Sequence, residues 1–280
     1  MARTIQETLA SGSLSDTASS QKPVQYVETV EAYNRWAEVY DTDGNFLQAL
    51  DTIEMQQLLP QLLNKVAANT QPGPAKLVDL GCGTGRNTRQ LLKFAPQDAH
   101  IVGLDASPGM LDVARTAIDK EKELVLSLAN RVSLEIYDLL RSPPTPPECS
   151  LGAAGVISTL VLEHIPVDRF FEGAAAVMRP GGYFLLTNMH SEMGSISQAG
   201  FVDMATGTKI RPTSYSHTIE DVLGAAEKAG FEVEELGGER VRERKVNEMM
   251  VQDLESGCDD ALLFLKLDPV FAERIERHVG

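Results

Sequence analysis

Apolar residues recur along this chain at two different spacings. Between Val27 and Ala68 they recur every three or four residues, which is typical of helices with one apolar face. That face collects Val30, Tyr33, Trp36, Ala37 and Tyr40. The pattern also predicts a second helix from Asp51 to Ala67. Residues 1–24 are rich in Ser, Thr and Ala without such spacing, so we expect a disordered tail there.

After the helix-breaking segment QPGP, short apolar runs alternate with amphipathic helices. Strands are predicted at KLVDLG, HIVGLDA, VSLEIYD, AGVISTL and YFLLTN. Helices are predicted near Arg86–Phe94, Pro108–Lys122, Val167–Met178 and Thr218–Ala229. Because strands separated by helices require crossover connections, we expect a mostly parallel sheet covered on both faces. The later runs FEVEELG and ALLFLKL are expected at a sheet edge, where antiparallel pairing is an option.

The alternation therefore predicts an α/β fold of the Rossmann-like, doubly wound kind. Its sheet is expected to be mostly parallel with an antiparallel edge, and N-terminal helices are expected to cap it. We divide the chain into a tail (1–24), a helical cap (25–70) and the main α/β domain (71–280).

The charge balance narrows the range of partners. The chain has 25 Lys and Arg residues against 40 Asp and Glu residues, a net charge of -15, which argues against nucleic acid or an anionic membrane surface as partner. No apolar run approaches the roughly 18 residues of a membrane span, and the N-terminal residues lack a secretion signal pattern. Cys82, Cys149 and Cys258 are scattered without metal-ligand spacing. We expect a cytoplasmic protein, or alternatively a nuclear one, with no metal site.

The stretch LVDLGCGTGRNT carries the first chemical signal. Gly81, Gly83 and Gly85 follow an apolar strand and open a helix, so the backbone can turn tightly and a ligand can approach it closely. A dinucleotide loop would place another glycine where Thr88 stands. Asp79 would also repel a pyrophosphate, whereas it favours a cationic ligand.

A second carboxylate follows the next predicted strand. The strand predicted within HIVGLDA ends at Asp105, 20 residues after Gly85. A carboxylate at this position can accept hydrogen bonds from both ribose hydroxyls. The ligand then has a ribose near Asp105 and an ammonium near Asp79. S-adenosylmethionine has both groups, carries a sulfonium cation and has no phosphate, so we expect it to be the cofactor.

Five segments in order resemble the motifs of class I S-adenosylmethionine-dependent methyltransferases: DLGCGTG, GLDAS, YDL, STLVLEHIP and MRPGGYFLL. The resemblance covers roughly Tyr33 to Leu267, and YNRWAEVYD and LEH are similar to the ubiquinone-biosynthesis type. It implies a backbone cradle at Gly81, Gly83 and Gly85, the amino-acid end near Asp79, and the ribose at Asp105. It further implies adenine at Asp138 and Leu139, and the methionine part at Thr159 and Leu160. Taken one at a time, Asp and Gly residues that follow strands are also common in ordinary turns, which is the structural alternative.

Candidates for the acceptor side are less defined. His164 and His190 are candidate general bases, and His217 could also serve or belong to a helix cap; structural hydrogen bonding is the alternative for all three. Tyr33 and Tyr40 form either a lid over the cofactor or part of an ordinary apolar stripe. The segment 190–216 lacks clean periodicity and is our candidate for acceptor specificity, whereas RVRERKV is interpreted as a solvated strand or turn face.

The leading functional hypothesis is methyl transfer to an O- or N-nucleophile of a small molecule, of secondary or quinone-type metabolism. The alternatives are a protein methyltransferase acting on a basic segment and a regulatory or scaffold protein that binds the cofactor without turnover. An NAD-dependent oxidoreductase is a more distant alternative. Fold alone does not decide among them, because one fold supports many acceptors.

Overall fold

The computed structural model describes residues 24–69, 72–124, 131–245 and 259–267. Its strands, in chain order, are β1 (Val24–Tyr26), β2 (Lys76–Leu80), β3 (His100–Asp105), β4 (Val132–Ile136), β5 (Ala153–Thr159), β6 (Met178–Met189), β7 (Phe201–Val202), β8 (Lys209–Arg211), β9 (Phe231–Val233), β10 (Val241–Lys245) and β11 (Asp259–Leu267). Its α-helices are α1 (Thr29–Trp36), α2 (Phe46–Ala68), α3 (Arg86–Phe94), α4 (Pro108–Leu124), α5 (Val167–Val177), α6 (Ser191–Ile196) and α7 (Ile219–Lys228).

A parallel sheet in the order β6-β5-β2-β3-β4 forms the centre of the fold. All residues of β5 are buried, because helices cover both faces of the sheet. The strand order reverses between β2 and β5, which leaves a crevice at the carboxyl ends of these strands. The predicted doubly wound α/β fold is confirmed.

The antiparallel edge is also confirmed, but two details of the prediction are wrong. The run ALLFLKL is β11, which pairs with β6 on one side and with β9 and β10 on the other, so it is an interior strand. RVRERKV provides β10, the strand on the outer side of β11, and its arginines are not simply solvated. Arg242 and Arg244 each lie 3.1 Å from a carboxylate oxygen of Glu54 on α2.

Helix α2 packs against a face of the main sheet and shares its core, whereas the sequence predicted a helical cap. Its residues Leu59 and Leu62 are fully buried in one apolar cluster with Leu77 of β2 and Ile101 of β3. The helix begins at Phe46, five residues before the predicted start at Asp51, because the Asn45 side chain accepts the Leu47 N–H at 3.0 Å and caps it. The division of the chain at residue 70 stays a prediction, although both sides of it share this core.

Helix α1 is shorter than the apolar spacing indicates. It ends at Trp36, and Tyr40 lies in the following turn, where the Val39 N–H donates to the Trp36 carbonyl at 3.0 Å. The Tyr40 ring still packs against the Tyr33 and Trp36 rings, at centroid distances of 5.8 and 5.0 Å. The predicted aromatic group therefore exists, although a turn supplies its last member.

A small second sheet joins the N-terminal segment to the segment predicted to recognise the acceptor. Strand β1 pairs in parallel with β8, and β8 pairs antiparallel with β7. Trp36 stacks on Phe201 at 5.3 Å between ring centroids. Residues 24–43 and 197–211, which we call the cover, therefore share an apolar cluster apart from the two clusters of the main sheet. Of the predicted tail, only Val24 lies within the described residues.

Candidate active site

A cavity lies at the carboxyl ends of β2, β3 and β5, beneath α1. Most of the residues that the sequence assigned to the cofactor line it: Tyr33, Tyr40, Gly81, Gly83, Asp105, Asp138, Leu139, Thr159 and Leu160. We call it the first cavity. The sequence-based set, drawn from five separate segments, is thus brought together at the reversal point of the sheet.

The glycine loop forms one wall of the first cavity. Gly83 has a φ of +53°, and a Cβ added there would meet no atom within 4 Å apart from its chain neighbours. At Gly81 an added Cβ would lie 2.3 Å from a Val161 methyl group, so this glycine allows close packing of the loop on the segment after β5. Gly85 contacts Ala114 of α4 and lies behind the cavity wall. The open approach to Gly83 fits a ligand that contacts the backbone there.

Hydrogen bonds from the backbone hold the Asp105 side chain against the glycine loop. One of its carboxylate oxygens accepts the Gly83 N–H and the other accepts the Ser107 N–H, both at 2.8 Å. Burial raises the pKa of this carboxyl. Because each carboxylate oxygen has a further lone pair, Asp105 can still accept the hydroxyls of a ribose.

Asp79 does not line either cavity described in this section. It is 1% exposed, and its Oδ2 accepts the Thr88 hydroxyl at 2.6 Å beneath the glycine loop. Burial raises its pKa to about 7, while the Thr88 hydrogen bond opposes this rise. Direct contact between Asp79 and the ammonium of a ligand stays a prediction, and one oxygen of this carboxylate is engaged by the Thr88 hydroxyl.

The raised pKa of Asp79 predicts a pH-dependent stability. Because an unfolded Asp has a pKa of about 3.9, the folded chain binds the extra proton between about pH 4 and 7, and its stability falls as the pH rises through this window. We expect Asp79→Asn, which cannot ionise, to be more stable than the parent protein by a few kcal/mol at pH 8, at about 1.4 kcal/mol per pKa unit, with little gain near pH 4. Urea unfolding at both pH values measures this, and an equal difference at both would contradict it.

Two contacts attach the cover to the cofactor region. The Asn34 side-chain oxygen accepts the Gly109 N–H at 2.9 Å and the Ser107 hydroxyl at 2.8 Å, at the start of α4 beside Asp105. Asp41 accepts the Thr84 hydroxyl of the glycine loop at 2.8 Å. Movement of the cover would therefore disturb both the ribose side and the glycine-loop side of the first cavity.

We expect the cover to open as one unit when no cofactor is bound. Amides of residues 30–41 should exchange quickly in the free protein and become protected by S-adenosylmethionine, and amides of β8 should gain protection with them, because β1 and β8 pair. Deleting residues 1–23 should leave this behaviour unchanged. Hydrogen exchange by mass spectrometry measures it. Equally slow exchange with and without the cofactor would show that the cover is permanent core.

A second cavity adjoins the first and shares part of its wall. Tyr33, Tyr40 and Leu160 belong to the walls of both cavities, and we call these three residues the junction. Among the other residues lining the second cavity are Trp36, Asp43, Glu163, Met189, Met193, Gln198 and Lys209. Part of the segment 190–216 therefore lines the second cavity, next to the junction with the first.

His164 lies in the wall of the first cavity with both ring nitrogens engaged. Its Nδ1 lies 2.9 Å from the Thr213 carbonyl and its Nε2 lies 2.7 Å from the Tyr33 hydroxyl. Since a carbonyl only accepts, Nδ1 carries a hydrogen toward Thr213, and in that tautomer of the uncharged ring Nε2 would accept from Tyr33. These contacts hold Tyr33 at the junction. Direct base action by His164 stays a prediction that needs one of these bonds to break.

The other two histidines lie away from both cavities. Nε2 of His190 is 3.0 Å from a Glu243 oxygen, and its Nδ1 accepts the Glu192 N–H at the start of α6. His217 is buried against the Ile165 carbonyl at 3.0 Å, and burial lowers its pKa. Thr218, not His217, caps helix α7. The structure gives all three histidines the structural hydrogen bonds that the sequence left as an alternative.

Glu163 is the residue of this site that sequence reasoning missed. It is 5% exposed in the wall of the second cavity, and its Oε2 has no hydrogen-bond partner among the described residues. Its Oε1 lies 3.8 Å from His164 Nε2. Burial raises the pKa of this carboxyl, while His164 opposes the rise. The sequence signal that could have indicated Glu163 is an acidic residue within the apolar run VLEHIP, directly before the candidate base His164.

A buried network positions the wall around Thr159. Asp51 of α2 is fully buried and accepts from Arg86 at 2.7 Å and from the Thr187 hydroxyl at 2.6 Å. Asn87 donates to both Asp51 and the Thr159 hydroxyl, at 3.1 and 2.9 Å. Helix α2 is thus tied to the start of α3 and to the carboxyl ends of β5 and β6. Within the described ranges, no cluster of three metal-ligating side chains occurs, and no helix is long and apolar enough to cross a bilayer.

Comparison with known proteins agrees with this geometry. The family model described as a methyltransferase domain matches residues 77–182. An uncharacterized methyltransferase of Emericella nidulans is 58% identical over 268 residues, covering 91% of this chain and 94% of that protein. The ubiquinone biosynthesis O-methyltransferase of Xanthomonas axonopodis pv. citri is 24% identical over 73% of this chain and 79% of its own length.

Solved structures show the same fold. Magnesium protoporphyrin IX methyltransferase from Synechocystis PCC 6803, crystallised with bound S-adenosylhomocysteine, matches with a TM-score of 0.50 at 17% identity, over 85% of this chain and 94% of that one. An S-adenosylmethionine-dependent methyltransferase from Methanosarcina mazei matches with a TM-score of 0.52 at 13% identity, over 72% of this chain and 97% of that one. Because both structures are less than 25% identical to this chain, the similarity shows a shared fold alone.

Proposed function

This chain belongs to the class I S-adenosylmethionine-dependent methyltransferases, and on that basis we propose that it methylates an oxygen or nitrogen nucleophile of a small molecule. The observation that carries the proposal is the second cavity, which shares the junction with the cofactor cavity. In this proposal a molecule bound there meets the cofactor at the junction, beside Tyr33, Tyr40 and Leu160. The name of the ubiquinone-biosynthesis relative supports an oxygen nucleophile and a quinone-type acceptor.

The residues of the first cavity fit the cofactor, as the open backbone at Gly83 and the oxygens of Asp105 indicate. In this proposal Asp105 binds the ribose, Asp138 and Leu139 bind the adenine, and Thr159 and Leu160 contact the methionine part. S-adenosylmethionine supplies an electrophilic methyl group when bound. The protein's task is then to align the acceptor, exclude water and remove a proton.

The proton acceptor in this proposal is Glu163. A carboxyl whose pKa is raised by burial suits proton transfer near neutral pH better than an ordinary exposed one. The hydroxyl or N–H of the acceptor, at the junction, would give its proton to the Glu163 carboxylate. The acceptor's lone pair would form the new bond to the methyl carbon while the bond from that carbon to sulfur breaks. The electrons of that bond would stay on sulfur, so that S-adenosylhomocysteine is the leaving group. His164 serves as a positioning residue, because it holds the Tyr33 hydroxyl.

Apolar side chains in the second cavity support a small acceptor over a basic protein segment. Trp36, Met189 and Met193 lie in its wall beside the acidic residues Asp43 and Glu163, whereas a basic peptide would need a groove in which acidic side chains predominate. A scaffold protein that had lost turnover would be expected to have a cleft filled by side chains, and neither cavity is filled by the described residues.

Transfer of labelled methyl groups tests the proposal. The protein is incubated with methyl-labelled S-adenosylmethionine and either the small-molecule fraction or the protein fraction of a cell extract. We expect label to enter the small-molecule fraction. Label confined to proteins, or no transfer by a protein that binds the cofactor, would overturn the proposal.

A further inference from the structure

One cation stands in the wall of the second cavity. Lys209 of β8 lines it, and among the residues that the structure describes it is the only Lys or Arg lining either cavity of the site. No ion pair joins Lys209 to a carboxylate within the same residues. In a chain with 40 acidic and 25 basic residues, a partly buried lysine facing a cavity without a counter-ion needs an explanation.

A second cation lies beside it. Arg211 stands two residues further along β8, so its side chain leaves the strand on the same side as that of Lys209. Its guanidinium contacts the neutral Tyr26 hydroxyl at 3.4 Å and the neutral Gln198 side-chain oxygen at 3.3 Å, and its Nε has no partner among the described residues. Burial, and then the Arg211 charge, lower the pKa of Lys209. An anion at this position would stabilise both cations.

Neither of the two carboxylates described in the same cavity forms an ion pair with Lys209. Asp43 accepts the Trp36 indole N–H at 2.7 Å and the Asn45 N–H at 3.0 Å. Glu163 has an oxygen 3.8 Å from His164, whose ring contacts the junction residue Tyr33. The cavity therefore presents a cation on β8 and carboxylates elsewhere in its wall, which favours a singly charged anionic group over a doubly charged one.

We propose that the acceptor carries a carboxylate, which Lys209 binds in the second cavity while the nucleophile of the acceptor reaches the junction. This inference rests on the proposed function and narrows its substrate class to small organic acids that also bear a hydroxyl or amino group. Lys209 binds the carboxylate directly, and Arg211 adds to the positive potential behind it. Neutral analogues of the same shape are poor acceptors.

The test divides a small-molecule extract on an anion-exchange resin at neutral pH. Each fraction is incubated with methyl-labelled S-adenosylmethionine and the full-length protein. We expect the label in the retained, anionic fraction. With that fraction, Lys209→Gln should raise the concentration needed for half-maximal rate at least about 10-fold, the usual effect of losing about 1.4 kcal/mol of binding. Lys209→Arg should restore most of the activity.

Two measurements separate this effect from general damage. Calorimetric affinity for S-adenosylmethionine should be unchanged in Lys209→Gln, and Lys120→Gln, the same charge change on the exposed side of α4, should behave like the parent protein. Label confined to the unretained fraction, or an unchanged half-maximal concentration in Lys209→Gln, would overturn the inference and leave the proposed function standing. Absence of transfer to either fraction, by protein that binds the cofactor, would overturn both.

Discussion

Gly83→Val is expected to weaken S-adenosylmethionine binding by more than about 100-fold, or about 2.7 kcal/mol, in a protein that still folds. A Cβ added at this position meets no atom within 4 Å apart from its chain neighbours, so we expect the substitution to leave the core packed. The valine methyl groups would extend into the approach to the glycine loop, where we propose that the cofactor contacts the backbone. Titration calorimetry measures the affinity, and circular dichroism measures the fold.

Backbone strain is the competing explanation for such a loss, and the chain offers a matched control. Gly83 has a φ of +53°, a region that costs a residue with a side chain roughly 1–2 kcal/mol. Gly152 has a φ of +77° with equally open surroundings, and it lines neither cavity of the site. Gly152→Val should lower the melting temperature similarly and leave binding intact. Undiminished affinity in folded Gly83→Val would remove the glycine cradle from the account.

Glu163→Gln is expected to lower the turnover number by about 10²- to 10⁴-fold, the usual contribution of a general base. Glutamine keeps the shape of the side chain but cannot take the acceptor's proton. S-adenosylmethionine affinity should stay the same, because Glu163 lines the second cavity and not the first. Single-turnover transfer of labelled methyl groups to the active extract fraction measures the chemical step.

The pH dependence distinguishes a base from a packing residue. Burial raises the pKa of Glu163. The methyl-transfer rate of the parent protein should therefore rise with pH over a range above the usual pKa of glutamate. Glu163→Gln should lose this rise. Glu232→Gln, at an exposed position on β9, should retain both the rate and its rise with pH. Full turnover in Glu163→Gln would mean that the acceptor reacts without a base from this residue.

Local patterns in the sequence determined much of the fold and of the cofactor site. Helix α3 spans Arg86–Phe94 as predicted, because its apolar spacing and the preceding glycines are local signals. The positions of Gly83 and Asp105 follow from the ends of neighbouring parallel strands, which must meet at one edge of the sheet. Predictions of this kind succeed because each depends on a short segment.

Features that depend on pairing between distant segments were not predictable in this way. The pairing of β1 with β8 joins segments more than 180 residues apart, and no local spacing specifies it. The interior position of β11 depends likewise on which strands lie beside it. Glu163 was missed for a related reason, because only the folded arrangement shows that its carboxylate is buried and faces a cavity.

We propose that S-adenosylmethionine binds in the first cavity with its sulfonium at the junction. A crystal structure of the complex with S-adenosylhomocysteine would show this position. We expect the ribose on Asp105, the adenine beside Asp138, and the sulfur facing the second cavity between Tyr33, Tyr40 and Leu160. A complex with the sulfur directed away from the second cavity, or with the ribose away from Asp105, would contradict it.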